Sequence, residues 1–236
     1  MPLCDVHCHL LPGIDDGCKT ADESLDLMEE CYWQGITHIA ATPHYYPKET
    51  VKKFLERRVE AAQRLVDAIV TAGWNEGRPA IHLGAEVAYH NGLIYEEQLD
   101  RLCIGNSRYL LLELPFAKWE PSVLRDVQML RSTRGIIPII AHLERFFEYE
   151  DKHTIQTILD MDVLIQMNAE YILDPKTQKK AKKLLQQGNV DLLGSDSHNM
   201  DRRPPNLRYA IEQIDAWGME DVSDQLAENA MEIFGL

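Results

Sequence analysis

Two histidines near the amino terminus, His7 and His9, are separated by one residue within an apolar run. Because strand side chains alternate between faces, Asp5, His7 and His9 are expected on one face and Cys8 on the other. Neutral imidazole is a common ligand for zinc, iron, copper and nickel, and harder ions bind when carboxylates join it. The spacing indicates a metal site, and the alternative is a pair of polar histidines without a ligand role.

Further residues of the types that bind metal ions lie at the ends of later apolar runs or in the loop after the first run. They are Asp16, His44, Glu86, Glu113, His142, Asp196 and His198. Taken singly, a histidine such as His142 is more often a hydrogen-bonded core residue, and a glutamate such as Glu86 is more often a rim carboxylate. Glu113 lies within a run of leucines, where a carboxylate without a partner is costly to bury.

The five histidines and four carboxylates of this set are too many for one ion and suit two or three ions that share ligands. Three divalent ions would leave a net charge of about +2 against four carboxylates, which suits a dianionic phosphate monoester. Such a centre lowers the pKa of water and so supplies hydroxide as a nucleophile.

The elements that must position these residues are strand-like runs alternating with amphipathic helical stretches, the pattern of βα units around a mainly parallel sheet. The predicted strands are Leu3–Leu10, Ile36–Thr42, Ile81–Val87, Tyr109–Leu114, Ile136–His142, Val163–Asn168 and Val190–Asp196. Seven such units favour a (β/α)-type barrel, whose active site lies at the carboxyl ends of the strands. Every predicted strand except the sixth brings a candidate ligand there, and the sixth ends with Gln166 and Asn168.

Length and composition narrow the class of protein. The chain of 236 residues is expected to be one domain over residues 1–236, and 45% apolar content is ordinary for a globular core. A formal charge of -14 argues against nucleic acid and anionic membranes as partners. Neither a secretion signal nor a membrane-spanning run is recognisable, and the five cysteines form no Cys-x-x-Cys pair. These features predict a cytoplasmic protein with free thiols.

Two arginines favour a phosphate-bearing substrate. Arg145 lies three positions after His142, and Arg203 follows His198 in the sequence Arg202-Arg203-Pro-Pro. A guanidinium group presents a fork of donors that matches phosphate oxygens. The alternative for each is an ordinary surface ion pair, which we prefer for Arg202.

In combination, these motifs resemble those of the PHP (polymerase and histidinol phosphatase) superfamily, and more narrowly its bacterial CpsB/CapC protein-tyrosine phosphatases. The matching motifs are His7-x-His9, Asp15-Asp16-Gly17, Thr42-Pro-His44, Glu86, Glu113, Ala-His142-Leu-Glu-Arg145 and Ser-Asp196-Ser-His198-Asn-Met-Asp-x-Arg203-Pro-Pro. The resemblance implies a distorted (β/α)7 barrel that holds three divalent metal ions, most commonly manganese, with iron or zinc as alternatives. It also implies hydrolysis of phosphotyrosine on a tyrosine autokinase that controls capsular or extracellular polysaccharide synthesis.

The resemblance implies a role for each candidate residue. His7, His9, Glu86 and Asp196 hold one ion; Glu86, Glu113 and His142 hold a second; and Asp16, His44 and His198 hold a third. Arg145 and Arg203 bind the phosphate. Asp15 is the alternative to Asp16, and the choice between them rests on position in the motif alone.

Three other functions compete with this hypothesis. Histidinol phosphate or another small phosphomonoester is an alternative substrate for the same metal centre, and a non-catalytic barrel with structural metals is a second possibility. A nuclease fits poorly with the acidic charge. A cysteine-dependent phosphatase is not expected, because no cysteine is followed by an arginine six positions later; Cys103 and Arg108 are one residue too close.

Overall fold

The computed structural model describes residues 2–74 and 76–236, in which short parallel strands alternate with helices along the chain. The strands are β1 (Leu3–Cys8), β2 (Ile36–Ala41), β3 (His44–Tyr45), β4 (Ala80–Leu83), β5 (Glu86–Ala88), β6 (Tyr109–Glu113), β7 (Ile137–Ile140), β8 (Leu164–Asn168) and β9 (Leu192–Gly194).

The α-helices pack around these strands. They are α1 (Ala21–Trp33), α2 (Val51–Thr71), α3 (Pro121–Arg134), α4 (Lys152–Leu159), α5 (Ala169–Leu173), α6 (Gln178–Gln186), α7 (Leu207–Ala216) and α8 (Glu220–Phe234). Several begin where the sequence supplies a cap: the Thr20 side chain accepts a hydrogen bond from the Glu23 backbone N–H, and Thr50 does the same for Lys53. No helix within residues 2–74 and 76–236 combines the length and apolar character needed to cross a membrane.

All strand pairs are parallel, in the orders β1-β2-β4 and β3-β5-β6-β7-β8-β9. The two sheets are continuous along the chain, because β3 follows β2 after Thr42 and Pro43, and β5 follows β4 after Gly84 and Ala85. The prediction of one unbroken third strand over 81–87 was therefore wrong. The ladder ends where the Gly84 N–H donates to the Ala41 carbonyl, because Pro43 has no N–H to donate back to Gly84, whose carbonyl accepts from Arg58 Nη1 instead.

The sheet curls so that the carboxyl ends of its first and last strands adjoin. The Asp196 N–H donates to the His7 carbonyl at 2.8 Å, and the His9 N–H donates to the Ser197 carbonyl at 2.9 Å. Cys8 and Ser197 form an isolated parallel bridge. The architecture is thus a mixed α/β fold built on a curled parallel sheet, as the alternating pattern of runs predicts.

A cluster of buried apolar side chains lies on the inner side of the curled sheet. Cys4, Val6, Leu111, Ile139 and Leu192 form a buried apolar cluster, to which α8 adds two residues, Ala230 and Ile233. These strand residues precede the candidate ligands on the same strands, so the cluster supports the ligands from the amino-terminal side. A larger cluster fills the space between the strands and the outer helices.

Simple alternation fails in β1. Its register with β2 shifts between Asp5 and Cys8, and Val6 joins the interior cluster. The Asp5 carboxylate accepts hydrogen bonds from the backbone N–H groups of Ser195 and His7, at 3.0 and 3.2 Å, so it ties β1 to the residue after β9. The prediction that Asp5 shares a face with His7 and His9 was wrong because this irregularity rotates the strand locally.

The sequence pattern predicts one short helix around Leu93–Leu102 and a basic helix over Lys176–Gln187. The structure instead has two 3₁₀ helices, Leu93–Tyr95 and Leu99–Leu102. The basic helix begins only at Gln178, and α5 lies before it. Neither change affects the residues at the carboxyl ends of the strands.

Candidate metal centre

The candidate ligands converge at the carboxyl ends of the strands. They come from β1 and the segment after it (His7, His9, Asp16), from β3 (His44), from β5 (Glu86), from β6 (Glu113), and from the residues after β7 and β9 (His142, Asp196, His198). All of these residues are buried except His44, which is partly exposed, and Asp16, which is exposed.

Four ligand atoms form the most compact group in the centre. His7 Nε2 lies 3.2 Å from His9 Nε2, 3.4 Å from Glu86 Oε2 and 3.3 Å from Asp196 Oδ1. His9 Nε2 lies 3.2 Å from Glu86 Oε2 and 3.4 Å from Asp196 Oδ1. Ligands ~2.1 Å from a tetrahedral ion are ~3.4 Å apart. The spacing of these atoms therefore matches the first coordination sphere of one ion.

A second group shares Glu86. His142 Nε2 lies 2.8 Å from Glu86 Oε1 and 3.5 Å from Glu113 Oε1. Glu86 thus directs Oε2 toward His7 and His9 and Oε1 toward His142. A carboxylate that presents its two oxygens to two groups of ligands has the geometry of a bridge between two ions.

A third group lies at the more exposed side of the site. Asp16 Oδ1 is 3.3 Å from His44 Nε2 and 3.5 Å from His198 Nε2. Ligand atoms of these three residues and His9 all lie within 4.8 Å of one another. The Asp16 side chain is 63% exposed, so this group opens to solvent and to an incoming substrate.

Asp15 and Asp16, which sequence position alone could not separate, have different surroundings. Asp15 accepts hydrogen bonds from His9 Nδ1 at 2.8 Å and from the His44 backbone N–H at 2.9 Å. Burial disfavours the charged form of Asp15, but the bond from His9 and the charge on His9 lower its pKa to about 2. Asp15 thus orients His9 from behind, and Asp16 faces the ligand group.

A buried amide on β8 holds two of the histidines. Gln166 Oε1 accepts hydrogen bonds from the His142 backbone N–H at 2.8 Å and from His7 Nδ1 at 3.2 Å. Because a backbone N–H can only donate, the atom that meets it is the amide oxygen, and His7 must donate from Nδ1. The His7 Nε2 lone pair is then free to face the other ligand atoms.

The same amide continues the chain of hydrogen bonds to Asp196. Gln166 Nε2 donates to Asn168 Oδ1 at 2.9 Å, and Asn168 Nδ2 donates to Asp196 Oδ2 at 2.8 Å. In the sequence analysis, Gln166 and Asn168 end the one predicted strand that brings no candidate metal ligand, and no role was predicted for them. Their alternate positions on β8 were the signal, since both project toward the ligands of neighbouring strands.

Unpartnered buried atoms indicate that these residues suit a cation. Glu86 Oε2 and His44 Nδ1 are buried and meet no hydrogen-bond partner, although they lie 2.9 Å apart. Burial opposes ionisation of Glu86, yet the imidazoles of His7, His142 and His44 hold its pKa well below its usual range. The result is a buried carboxylate surrounded by imidazole nitrogens, and these nitrogen and oxygen ligands together are a set that divalent transition metals bind.

Two of the candidate ligands, His142 and Asp196, lie on strained backbone. His142 and Asp196 have φ of 32° and 53°, in the left-handed region that residues other than glycine seldom adopt. Gly194 lets β9 lie close to the side chains of His7 and Gln166. A Cβ at this position would lie 2.7 Å from His7 Cβ and 2.9 Å from Gln166 Nε2.

Both predicted phosphate-binding arginines reach the centre. Arg145 Nη2 and Arg203 Nη2 lie 2.7 and 2.5 Å from Asp196 Oδ2, and Arg203 Nη1 donates to His198 Nε2 at 2.9 Å. Both guanidinium groups remain partly exposed, so they can offer donors to a substrate at the mouth. Arg202 is exposed and lines a neighbouring groove with Asp16 and Lys19.

All five cysteines are buried and free. Cys8 belongs to the cluster between strands and helices, on the side away from the ligands, as expected. Burial raises the pKa of the Cys4 and Cys18 thiols to about 11 and that of Cys103 to about 12. Burial also holds the pKa values of Cys8 and Cys31 well above the usual thiol range. A thiolate nucleophile is therefore not available at this site.

Comparison with known proteins places the chain among bacterial relatives. It is 30% identical to tyrosine-protein phosphatase CpsB of Streptococcus agalactiae serotype III (strain NEM316), with 98% of each chain covered. It is 26% identical to tyrosine-protein phosphatase YwqE of Bacillus subtilis (strain 168), covering 97% of this chain and 90% of the other.

A solved structure shares the fold over nearly the whole length. It comes from work on YwqE of Bacillus subtilis and CpsB of Streptococcus pneumoniae, described as unique metal-dependent tyrosine phosphatases. The TM-score is 0.84 at 22% identity, with 98% of this chain and 94% of the other covered. The sequence profile of the family described as "Capsular polysaccharide synthesis, CpsB/CapC" matches residues 3–235. The chain therefore belongs to the CpsB/CapC family.

Proposed function

We propose that this chain is a metal-dependent protein-tyrosine phosphatase that hydrolyses phosphotyrosine on protein substrates. The observation that carries the proposal is the convergence of nine side chains of ligand type and two guanidinium groups at one mouth. The names of the streptococcal and Bacillus relatives, tyrosine-protein phosphatases, support the reaction.

Three divalent ions would occupy the three groups, and the resemblance to the family favours manganese. His7, His9, Glu86 and Asp196 would hold the first; Glu86, Glu113 and His142 the second; and Asp16, His44 and His198 the third. Support comes from the spacing of the first group, from the two-sided position of Glu86, and from the exposure of Asp16.

When bound, such ions supply positive charge to the phosphate and lower the pKa of water so that hydroxide is available at neutral pH. The chain's own residues prepare this chemistry by holding protons away from the ligand atoms. His7 donates from Nδ1 to Gln166, and His9 donates from Nδ1 to Asp15. His198 donates from Nδ1 to the Asp196 carbonyl at 2.9 Å. The Nε2 lone pairs of His7 and His9 therefore face the centre, whereas that of His198 accepts a hydrogen bond from Arg203 Nη1.

Arg145 and Arg203 would bind the substrate phosphate. Both are held at the rim by one carboxylate oxygen of Asp196, so their remaining donors are oriented before substrate arrives. Charge-assisted bonds from such forks stabilise the phosphate oxygens as charge redistributes during transfer. Because the thiols are buried and their pKa values raised, water attacks phosphorus directly and no phosphocysteine forms.

The fold proposed for this activity is a distorted (β/α)7 barrel formed by one domain. If β2 with β3, and β4 with β5, each count as one strand, seven parallel strands follow one another in chain order. The hydrogen bonds between the ends of β1 and β9 support closure of the barrel at the site.

The proposed partner is a cytoplasmic tyrosine autokinase that acts in capsular or extracellular polysaccharide synthesis. The family description, capsular polysaccharide synthesis, supports that setting. Histidinol phosphate is the competing substrate for the same chemistry, and a direct assay separates the two.

The test uses one preparation of the full chain for both metal content and hydrolysis. We expect bound divalent metal, hydrolysis of phosphotyrosine peptides in preference to histidinol phosphate, loss of activity with chelator, and best recovery with manganese. Glu86→Gln should lose metal and activity together, whereas Arg203→Ala should lower turnover with metal retained. Glu212→Gln, an exposed change on α7, serves as the matched control and should behave as wild type.

Three outcomes would contradict the proposal. Metal-replete protein without phosphatase activity would favour a regulatory role. Full activity in Glu86→Gln would show that hydrolysis does not depend on a metal ion held by Glu86. Marked preference for histidinol phosphate would change the substrate. Equal recovery with zinc would change only the metal.

A further inference from the structure

Two half-exposed aromatic rings lie directly against candidate ligands at the mouth of the site. Phe116 is 45% exposed, and its ring lies 5.9 Å from the His142 ring at an interplanar angle of 20°. Tyr46 is 42% exposed, and its ring lies 5.2 Å from the His44 ring at 29°. Both rings are stacked on imidazoles rather than turned away from them, so their apolar faces border the place where substrate must enter.

The two rings stack on histidines that contact different oxygens of one carboxylate. Glu86 Oε2 lies 2.9 Å from His44 Nδ1, and Glu86 Oε1 lies 2.8 Å from His142 Nε2. Tyr46 stacks on the first histidine and Phe116 on the second. Each ring therefore lies next to Glu86, with one histidine between the ring and the carboxylate.

The Phe116 ring is held by other aromatic rings. It stacks on Phe146 at a centroid distance of 5.3 Å and 29°, and it meets Tyr149 edge-on at 6.2 Å and 62°. Trp119 packs edge-on against the buried Phe146 at 5.3 Å. A ring fixed in this way loses little conformational entropy when a substrate packs against it.

From this arrangement we propose that Phe116 and Tyr46 receive the phenyl ring of phosphotyrosine and select aryl over alkyl phosphomonoesters. The inference rests on the proposed phosphatase function and names residues outside the metal ligands and arginines. A phosphotyrosine ring separates its phosphate from the polypeptide by the length of the phenyl group, so a phosphate seated at the centre carries that ring between the two walls. The shorter side chain of phosphoserine offers no surface to them.

Aromatic pairs gain about 0.5–1.5 kcal/mol beyond the burial of apolar area. Since 1.4 kcal/mol corresponds to tenfold in affinity, losing one wall should weaken binding of an aryl ligand by about 2- to 12-fold. Binding of an alkyl ligand should change by less than about twofold, because it does not reach the wall.

The experiment measures binding of phenylphosphonate and methylphosphonate to the manganese-loaded full chain by calorimetry. Neither compound is hydrolysed, so leaving-group chemistry does not enter. Phe116→Leu should raise the Kd of phenylphosphonate by about 2- to 12-fold and leave that of methylphosphonate and the metal content unchanged. Phe116→Tyr should keep the wild-type ratio because it keeps the flat face. Tyr95→Leu, at an aromatic ring that is 78% exposed in another groove, is the control.

Equal weakening of both phosphonates would overturn the inference, because it would make Phe116 a support of the metal centre. An unchanged ratio in Phe116→Leu and in Tyr46→Leu would also overturn it. Hydrolysis of a phosphotyrosine peptide by the same wild-type preparation separates the two proposals. Hydrolysis with an unaltered ratio refutes only the aromatic walls, whereas ring-dependent binding without hydrolysis of any phosphate ester refutes only the phosphatase.

Discussion

Replacing Gln166 by leucine removes an amide on which three strands of the site converge. In the wild type, Gln166 Oε1 accepts from the His142 backbone N–H and from His7 Nδ1, and Nε2 donates to Asn168. Leucine fills similar space but offers no acceptor. Two buried donors then lose their partner, and His7 is no longer held with its proton on Nδ1.

The expected magnitude follows from those contacts. Each buried group left without a partner costs ~1–3 kcal/mol, so the free energy of unfolding of the metal-free protein should fall by about 2–6 kcal/mol. Loss of a partner that orients a metal-binding histidine lowers metal affinity ~10–100-fold. That range corresponds to ~1.4–2.7 kcal/mol of binding free energy.

The assay combines urea unfolding of the metal-free chain with competition titration of manganese against a chelator of known affinity. Gln166→Glu retains an acceptor for His142 and His7 but loses the donor to Asn168, so its effect on affinity should be smaller than that of Gln166→Leu. Gln128→Leu, an exposed change on α3, is the control.

Two results would refute the reasoning. If Gln166→Leu lowers stability yet binds manganese with wild-type affinity, the amide supports the fold and does not prepare His7 as a ligand. If both quantities stay at wild-type values, the hydrogen bonds contribute nothing measurable.

Two further predictions concern the backbone around the site and the thiols. Gly17→Ala should reduce bound metal and lower activity about tenfold, because the new Cβ would lie 2.3 Å from the His9 carbonyl oxygen and must displace the loop that carries Asp16. Gly73→Ala, at a φ of 70° but with nothing within 4 Å, tests backbone strain without a steric clash and should leave the metal-to-protein ratio unchanged; equal metal loss in both variants would contradict the explanation. Iodoacetamide at pH 8 should leave activity intact, because burial raises the pKa of the Cys4 and Cys18 thiols to about 11; inactivation in step with alkylation would show that a thiol takes part.

Much of the site followed from the sequence because its chemistry is carried by residue type and position at the ends of strands. Parallel βα units bring the carboxyl ends of their strands to one edge, so histidines and carboxylates at those ends must meet there. His7, Glu86, Glu113 and His142 could be found in this way, since a polar ligand at the end of an apolar run is visible without coordinates.

The tertiary structure decided what depends on register and on the loops. Asp15 and Asp16 are neighbours of the same type, and only the turn of the loop makes one a partner of His9 and the other a neighbour of His198. The irregularity in β1, which turns Asp5 toward Ser195, has no counterpart in the apolar pattern.

Contacts between residues far apart in the chain were the hardest to predict from the sequence. Gln166 meets His7 across 159 positions, and Phe116 reaches the His142 ring only because the segment after β6 folds back over the neighbouring strand. Local sequence encodes the period of an element and where it ends. Which side chain of one strand meets which of another depends on pairing register and on strained residues such as His142, and these are determined only when the whole sheet has closed on its core.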